Sequence, residues 1–318
     1  MHSFSIFLHP QDLSFTRLKE SVSYFGLNPR RCFGASQAES NLLQLTGEIK
    51  NKVRSVSVNI DILTLLNSAY TSRGVSHAIF ELAPSDGRRL LGDARIGAVS
   101  PWALDMLLKE YETRQANAAA DFYTSIAGMP SAGSLRGRLM ERQVLKYFDT
   151  FHSPHDFSIR SLASSAISKW TYPGPAERVT FQSQSFTPSL TSAIKDKQPR
   201  HFVPLDPNFP AVDSILYDPA GVLTCIQITI KDQHPVAVLG LRRIQGWLKL
   251  RTALADLRPS TSGNHWRLIF VVPDAVAPTF GLQDLEGDTD KCEWAKKVDQ
   301  YVLGINENVL WGRAMKTS

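Results

Sequence analysis

No GxxxxGK[ST] run occurs anywhere in the 318 residues, so no Walker-type phosphate loop can be assigned and ATP hydrolysis is not expected. Cysteine is scarce: Cys32, Cys225 and Cys292 stand far apart in the chain. That spacing fits neither a disulfide framework nor a zinc site and implies a reducing compartment. No apolar run approaches the about 18 residues that a membrane span needs. The opening MHSFSIFLHPQDLSF has too short an apolar stretch, and too little charge before it, for a secretory signal. An intracellular location, the nucleus included, and no membrane partner are the expectations.

Charge of neither sign dominates. Lys and Arg number 35 against 30 Asp and Glu, giving a net charge of +5 and a pI near 9.1, which favours a polyanionic partner. Hydrophobic residues at 43% and charged residues at 20% describe a globular chain long enough for one large core or two ordinary ones.

The most informative stretch is residues 209–234, FPAVDSILYDPAGVLTCIQITIKDQH. Residues 212–217 and 222–231 are rich in β-branched and apolar side chains and predict two strands. Asp218-Pro219-Ala220-Gly221 lies between them: Pro219 suits the second position of a type I turn, and Gly221 the left-handed residue that follows. That loop sets a register in which Asp218 pairs with Val222, Tyr217 with Leu223, Ile215 with Cys225 and Asp213 with Gln227. Alternation then puts Gln227, Thr229 and Lys231 on one face. An acid and an amide oxygen stand side by side, with a lysine at the strand's end. Taken alone, the same residues also suit plainer roles, Asp213 starting a turn and Gln227 satisfying a polar neighbour.

This constellation resembles the PD-(D/E)XK, or restriction-endonuclease-like, nuclease core. That family pairs an Asp on one strand with Glu or Gln on the next, followed two residues later by Lys, and takes a Glu from the preceding helix. Here the position two residues after Gln227 holds Thr229, and Lys231 comes two residues further on. The resemblance implies Mg²⁺ or Mn²⁺ held by Glu141, Asp213 and Gln227, since oxygen donors suit a hard cation. Lys231, with Thr229 hydrogen-bonding, would stabilise developing negative charge.

The helix that would supply the acid is residues 135–148, with Ser134 as its cap and Leu135, Leu139, Met140, Val144, Leu145, Tyr147 and Phe148 at helical spacing. Glu141 is its only acid. Gly137 stands one turn earlier, where a glycine admits a close approach. An ion pair with Arg138, Arg142 or Lys146 is the alternative role for Glu141. Gly-x-x-Met-Glu before an apolar helix is similar to the start of the nuclease domain of Crinkler and retrotransposon-hot-spot (RHS) proteins, as is Gln-x-Thr-x-x-x-x-His-Pro, which contains His234. That histidine is read either as an acid/base near the scissile phosphate or as a cap on the following helix.

Basic residues fall in two groups. Lys195, Lys197 and Arg200 lie in an expected loop at 194–200. Arg242 and Arg243 lie on an expected helix at 240–257. Both groups suit phosphate contacts, and both suit ordinary solvated charge. Residues 265–273 read as a buried strand ended by proline, the last of an αβββαβ core, and 294–303 as a closing amphipathic helix.

Residues 1–128 read as mostly helical, with helices at 42–58, 62–69 and 101–126 and a strand at 76–82. Residues 25–33 form an expected turn followed by two arginines. This half resembles the end of the NTPase module that precedes the nuclease in Crinkler and RHS proteins. A boundary is expected at 129–133, giving a helical domain at 1–128 and a nuclease-like domain at 131–318. The resulting expectation is a metal-dependent DNA nuclease of effector type. The alternative is an inactive nuclease fold that binds nucleic acid or a host protein.

Overall fold

The computed structural model describes residues 14–26, 28–57, 79–84, 94–113, 117–206, 209–220, 222–287 and 291–312. Two compact units divide the chain, residues 1–138 and 139–318. Among the described residues no helix is long and apolar enough to cross a membrane.

The first unit contains α1 (Phe15–Phe25), α2 (Pro29–Gln37), α3 (Glu39–Ser57), the antiparallel pair β1 (Phe80–Pro84) and β2 (Ala94–Ala98), then α4 (Pro101–Glu112) and α5 (Ala118–Ser125). The expected Gly/Asn/Pro turn joins α1 to α2, and the two arginines that follow it lie in α2 rather than in a loop. Asn28 accepts a hydrogen bond from Arg31 N, capping α2, and Pro29 takes the first helical position, where its missing N–H costs nothing. The single helix expected at 101–126 is two. The strand expected at 76–82 begins at Phe80 in β1, and residues 76–78 and 62–69 lie outside the described residues.

In the second unit, α6 (Gly133–Asp149) enters an eight-stranded sheet built from β3 (His155–Ser161), β4 (Ile167–Tyr172), β5 (Glu177–Phe181), β6 (Arg200–Pro204), β7 (Ser214–Asp218), β8 (Val222–Ile228), β10 (Trp266–Pro273) and β12 (Val298–Ile305). The α7 helix (Ser183–Asp196) joins β5 to β6. After β8 come β9 (Val236–Ala237), α8 (Val238–Lys249) and a 3₁₀ turn, Thr252–Leu257. β11 (Leu285–Glu286) and α9 (Lys291–Trp294) precede β12, and α10 (Glu307–Leu310) follows it.

Strand order is β4-β3-β12-β10-β8-β7-β6-β5. The strands β8, β10 and β12 run parallel to one another, and β7 is antiparallel to both of its neighbours. The architecture is mixed α/β, as expected, and β7, β8 and β10 are adjacent in one sheet.

The sheet's two faces hold different packing. Ile215 and Tyr217 of β7, Leu223 and Cys225 of β8, and Leu268 and Phe270 of β10 form one core with Phe186 and Leu190 of α7 and Leu241, Ile244 and Leu248 of α8. Burial pushes the Cys225 thiol pKa up to about 12, leaving it inert. The other face receives α6. Phe148 stacks on Tyr172 of β4 at 4.9 Å and meets Trp170 edge-on, while His201 of β6 lies 5.8 Å away. β4 and β6 are first and seventh in the strand order, so one side chain touching both requires the sheet to curl around the end of α6. Such aromatic pairs contribute about 0.5–1.5 kcal/mol each beyond their buried area.

Several boundaries differ from the sequence reading. Ser134 lies inside α6, which starts one residue earlier after a 3₁₀ turn, Pro130–Ala132. The helix expected at 240–257 is α8, ending at Lys249, followed by 3₁₀ geometry. Residues 294–303, read as a helix from Val298, Tyr301 and Val302, form β12 from Val298 onward. Three apolar residues at i, i+3 and i+4 leave the period of a short segment ambiguous. An eight-residue parallel register with β10, from Trp266↔Val298 to Pro273↔Ile305, decides it, and β10 is therefore not the last strand.

Candidate active site

The hairpin adopts the expected register: Asp218↔Val222, Tyr217↔Leu223, Ile215↔Cys225 and Ser214↔Ile226. Gly221, on which that expectation rested, lies outside the described residues. One step beyond Ser214, Asp213 N donates to Ile226 O, so Asp213 stands across from Gln227. Gln227 Nε2 donates to Asp213 Oδ2 at 2.8 Å, and Ile228 N donates to the same oxygen at 2.6 Å. Gln227 is 6% exposed. A buried amide needs a partner, and the carboxylate supplies a charged one.

β7 starts and β8 ends at this point, and β10 runs parallel to β8. The Asp213–Gln227 pair therefore sits at the carboxyl ends of parallel strands, where open α/β sheets bind ligands.

The approach to Asp213 is strained. Ala211 holds φ at +78°, a left-handed value that costs a non-glycine residue about 1 kcal/mol or more. Gly240, in the first turn of α8, explains how it is held. A Cβ at that position would lie 1.9 Å from Pro210 O and 2.8 Å from Ala211 Cβ. The helix thus presses backbone against the 210–211 segment. Sequence reasoning missed both residues; a glycine inside a helical pattern was the available signal.

Thr229 and Lys231, expected within the strand at 222–231, lie beyond the observed one, since β8 ends at Ile228. Thr229 N still donates to Val271 O, the last link to β10, and the Thr229 side chain is buried. Its hydroxyl then accepts from Lys231 N at 3.1 Å, turning the chain out of the sheet. Lys231 is exposed in that turn rather than extending the Gln227 and Thr229 face, because the alternation that would have aligned it stops where β8 ends.

His234 is half-buried and its backbone N donates to Gln283 Oε1 at 2.5 Å. It does not cap α8, which begins at Val238. Burial, and then the charge of Lys231, hold its imidazole below the usual histidine range, so it is neutral at pH 7.

Glu141 lies on α6, seven residues and about two turns before Phe148, flanking the buried stripe of Leu139, Met140, Val144 and Phe148. A Cβ on Gly137 would meet nothing within 4 Å, so no close approach there requires glycine.

The basic residues split. Lys195 is in the last turn of α7 and Lys197 caps it in left-handed geometry, both exposed. Arg200 is not in a loop. It opens β6, pairs with Glu177 at 3.1 Å and donates to Ser189 O, engagements that take it away from phosphate. On α8, Arg243 is exposed and Arg242 half-buried.

A second polar cluster went unread in the sequence. His201 Nε2 lies 2.8 Å from Ser214 Oγ, and His201 Nδ1 lies 3.4 Å from Tyr172 OH, with His201 and Ser214 fully buried. Burial first, and then the Arg178 charge, press the His201 pKa down to about 3. A serine beside a histidine suggests a nucleophile, but no substrate reaches a pair with zero exposure.

Among the described residues, no group of three or more His, Cys, Asp or Glu side chains is set to hold a metal ion. The Asp213–Gln227 pair brings one carboxylate and one amide. Compared with protein-family models, with curated proteins and with solved structures, the chain finds no match in any of the three.

Proposed function

We propose that residues 131–318 are a metal-dependent nuclease domain of the restriction-endonuclease-like αβββαβ class, related to the Crinkler and RHS nucleases, that hydrolyses phosphodiesters in DNA. The observation that carries this reading is the Asp213–Gln227 pair, hydrogen-bonded at 2.8 Å at the carboxyl ends of parallel strands. The donor set fits the group implied. Asp213 and Gln227 offer a carboxylate and an amide oxygen, the ligand chemistry of Mg²⁺ or Mn²⁺; Glu141, on α6, is the third ligand that the resemblance implies. A bound ion of that kind would polarise the phosphodiester and acidify a water.

The chain's own residues supply the rest. Asp213 keeps one oxygen fixed by Gln227 Nε2 and Ile228 N, so its carboxylate is oriented before any ligand arrives. Lys231, exposed just past the strand end, brings positive charge to a developing phosphorane. His234, neutral at pH 7, has a ring nitrogen able to accept a proton. Lys195, Lys197 and Arg243 are exposed cations suited to the nucleic-acid backbone, and Arg242 is half-buried on the same helix as Arg243. ATP turnover is not part of the proposal, because the sequence lacks a phosphate loop.

One observation favours a second reading. The position that holds lysine in the family holds Thr229, buried and bonded to the backbone of Lys231. A fold that lost its lysine would still bind nucleic acid or a host protein as an inactive effector.

Cleavage of supercoiled plasmid with Mg²⁺ or Mn²⁺ tests the first reading, with Asp213→Ala as the control. Metal-dependent nicking that disappears in the variant, while salt-dependent DNA binding persists, supports it. Binding without cutting under every divalent ion favours the second reading. Cutting by the variant at the wild-type rate removes Asp213 from the site.

A further inference from the structure

Past Thr229 the chain leaves the sheet, and it meets a strand partner again only at β9, where Val236 N donates to Asp284 O. The turn between them carries Lys231 and His234. One amide grips it at two points. Gln283 Oε1 accepts from His234 N at 2.5 Å, and Gln283 Nε2 donates to Asp232 O at 3.3 Å and to Gly281 O at 2.8 Å.

Gln283 is itself fixed from behind. Its backbone N donates to Gln300 Oε1 at 3.0 Å, and its backbone O accepts from Gln300 Nε2 at 2.9 Å. Gln283 is 6% and Gln300 8% exposed, and Gln300 sits on β12, inside the sheet. The turn is therefore tied through Gln283 to a central strand rather than to another loop.

We propose that Gln283 is a positioning residue that fixes the Lys231–His234 turn relative to the end of β8; its consequence for cleavage rests on the nuclease reading above. The turn needs such a hold. Lys231 and His234 act electrostatically on each other, the lysine charge opposing protonation of the imidazole, so an untethered turn would let the two spread into solvent. Ordering by a buried amide is worth more than by an exposed one, because breaking it leaves a donor and an acceptor unsatisfied.

The test is histidine-resolved NMR on the full chain, with the His234 signal assigned through His234→Gln. Gln283→Leu keeps the volume and removes both contacts to the turn. The His234 titration midpoint should rise toward that of an exposed histidine in Gln283→Leu. It should stay at its wild-type value in Trp266→Phe, which loses a buried hydrogen bond elsewhere in the core, to Leu257 O. In cleavage assays Gln283→Leu should lower kcat at least about 10-fold with little change in KM, as expected when a transition-state group is misplaced.

An unmoved midpoint in folded Gln283→Leu overturns the assignment, as does an equal shift in Trp266→Phe. Should Gln283→Leu fail to fold, the wild type decides. The His234 amide should exchange at least about 100-fold more slowly than an open amide, as a bonded N–H does, and free exchange overturns the assignment. If wild type cuts nothing, the nuclease reading falls, and the midpoint and exchange results still decide the role of Gln283.

Discussion

Asp213 and Ser214 are neighbours in the chain and belong to polar clusters of opposite character. Ser214 points to the α6 face and joins His201 and Tyr172 in a network with no exposure at His201 or Ser214. Asp213 pairs with Gln227 at the carboxyl ends of β8 and β10, half-buried, and is reached through a strained residue. In the first cluster the histidine is held neutral. In the second an anion is oriented, with a lysine and a neutral histidine in the next turn. A sealed and satisfied network fixes the fold of the hairpin, whereas an oriented anion at a strand end suits the metal-binding role proposed for it.

The largest expected effect concerns the sealed cluster. The folded-state His201 pKa is about 3 against an ordinary 6.5. Above the unfolded value both states are neutral and the cluster's stabilisation is complete. As pH falls from about 6.5 toward 3, the unfolded chain takes up a proton the folded chain refuses. Stability should fall by about 1.4 kcal/mol per pH unit in that window. Urea midpoints from pH 7 to 4 should show this slope in wild type and lose it in His201→Gln. Equal slopes would mean that His201 is not sealed, despite Tyr172 and Arg178 beside it.

Next comes the strained approach to Asp213. Gly240→Ala should cost about 3 kcal/mol in denaturant unfolding, because its Cβ meets backbone rather than a movable side chain. Cleavage should fall with it as Asp213 shifts. A neutral result would show that the 210–211 segment yields freely.

Lys231→Ala should slow cleavage on the order of 100-fold while leaving the unfolding midpoint unchanged, as for a charge-stabilising group on an exposed turn. Thr229→Lys, at the family's usual position, should raise the rate if the turn holds Lys231 in a poorer place. Single-turnover rates separate the two, and full activity in Lys231→Ala would return that lysine to ordinary surface charge.

The smallest effect is a gain. Ala211→Gly should relieve the left-handed strain and stabilise by up to about 1 kcal/mol, less what the freer unfolded chain takes back. A loss of stability would mean that the Ala211 methyl contributes more than its backbone costs.

The hairpin was legible because its information is local: Pro219 in the turn and alternating β-branched residues set a register that placed Asp213 against Gln227 before any tertiary contact was known. The end of β8 was not legible. Ile228, Thr229, Ile230 and Lys231 keep alternating in sequence, and only the Thr229 hydroxyl bonding to Lys231 N shows where the chain leaves. β12 was misread because its period is ambiguous until β10 lies beside it. Arg200 looked like a loop cation because Glu177, its partner, is 23 positions away and reaches it only through the parallel β5–β6 pairing. The His201 cluster and the Gln283–Gln300 pair, assembled from β4, β6, β7 and β12, left no trace in any short window.

The contrast between Asp213 and Ser214 is tested most directly by two near-isosteric variants measured side by side for thermal stability and for Mn²⁺-dependent plasmid cleavage. Asp213→Asn keeps an acceptor for Gln227 and Ile228 and loses only the charge. It should melt within a few degrees of wild type and lose cleavage by about 1,000-fold or more, the scale of removing a principal electrostatic group. Ser214→Ala should cost about 1–3 kcal/mol by stranding the buried His201 nitrogen, while its folded fraction cuts at the wild-type rate. The reverse pattern, an unstable Asp213→Asn that still cuts beside a stable Ser214→Ala that does not, would contradict the account.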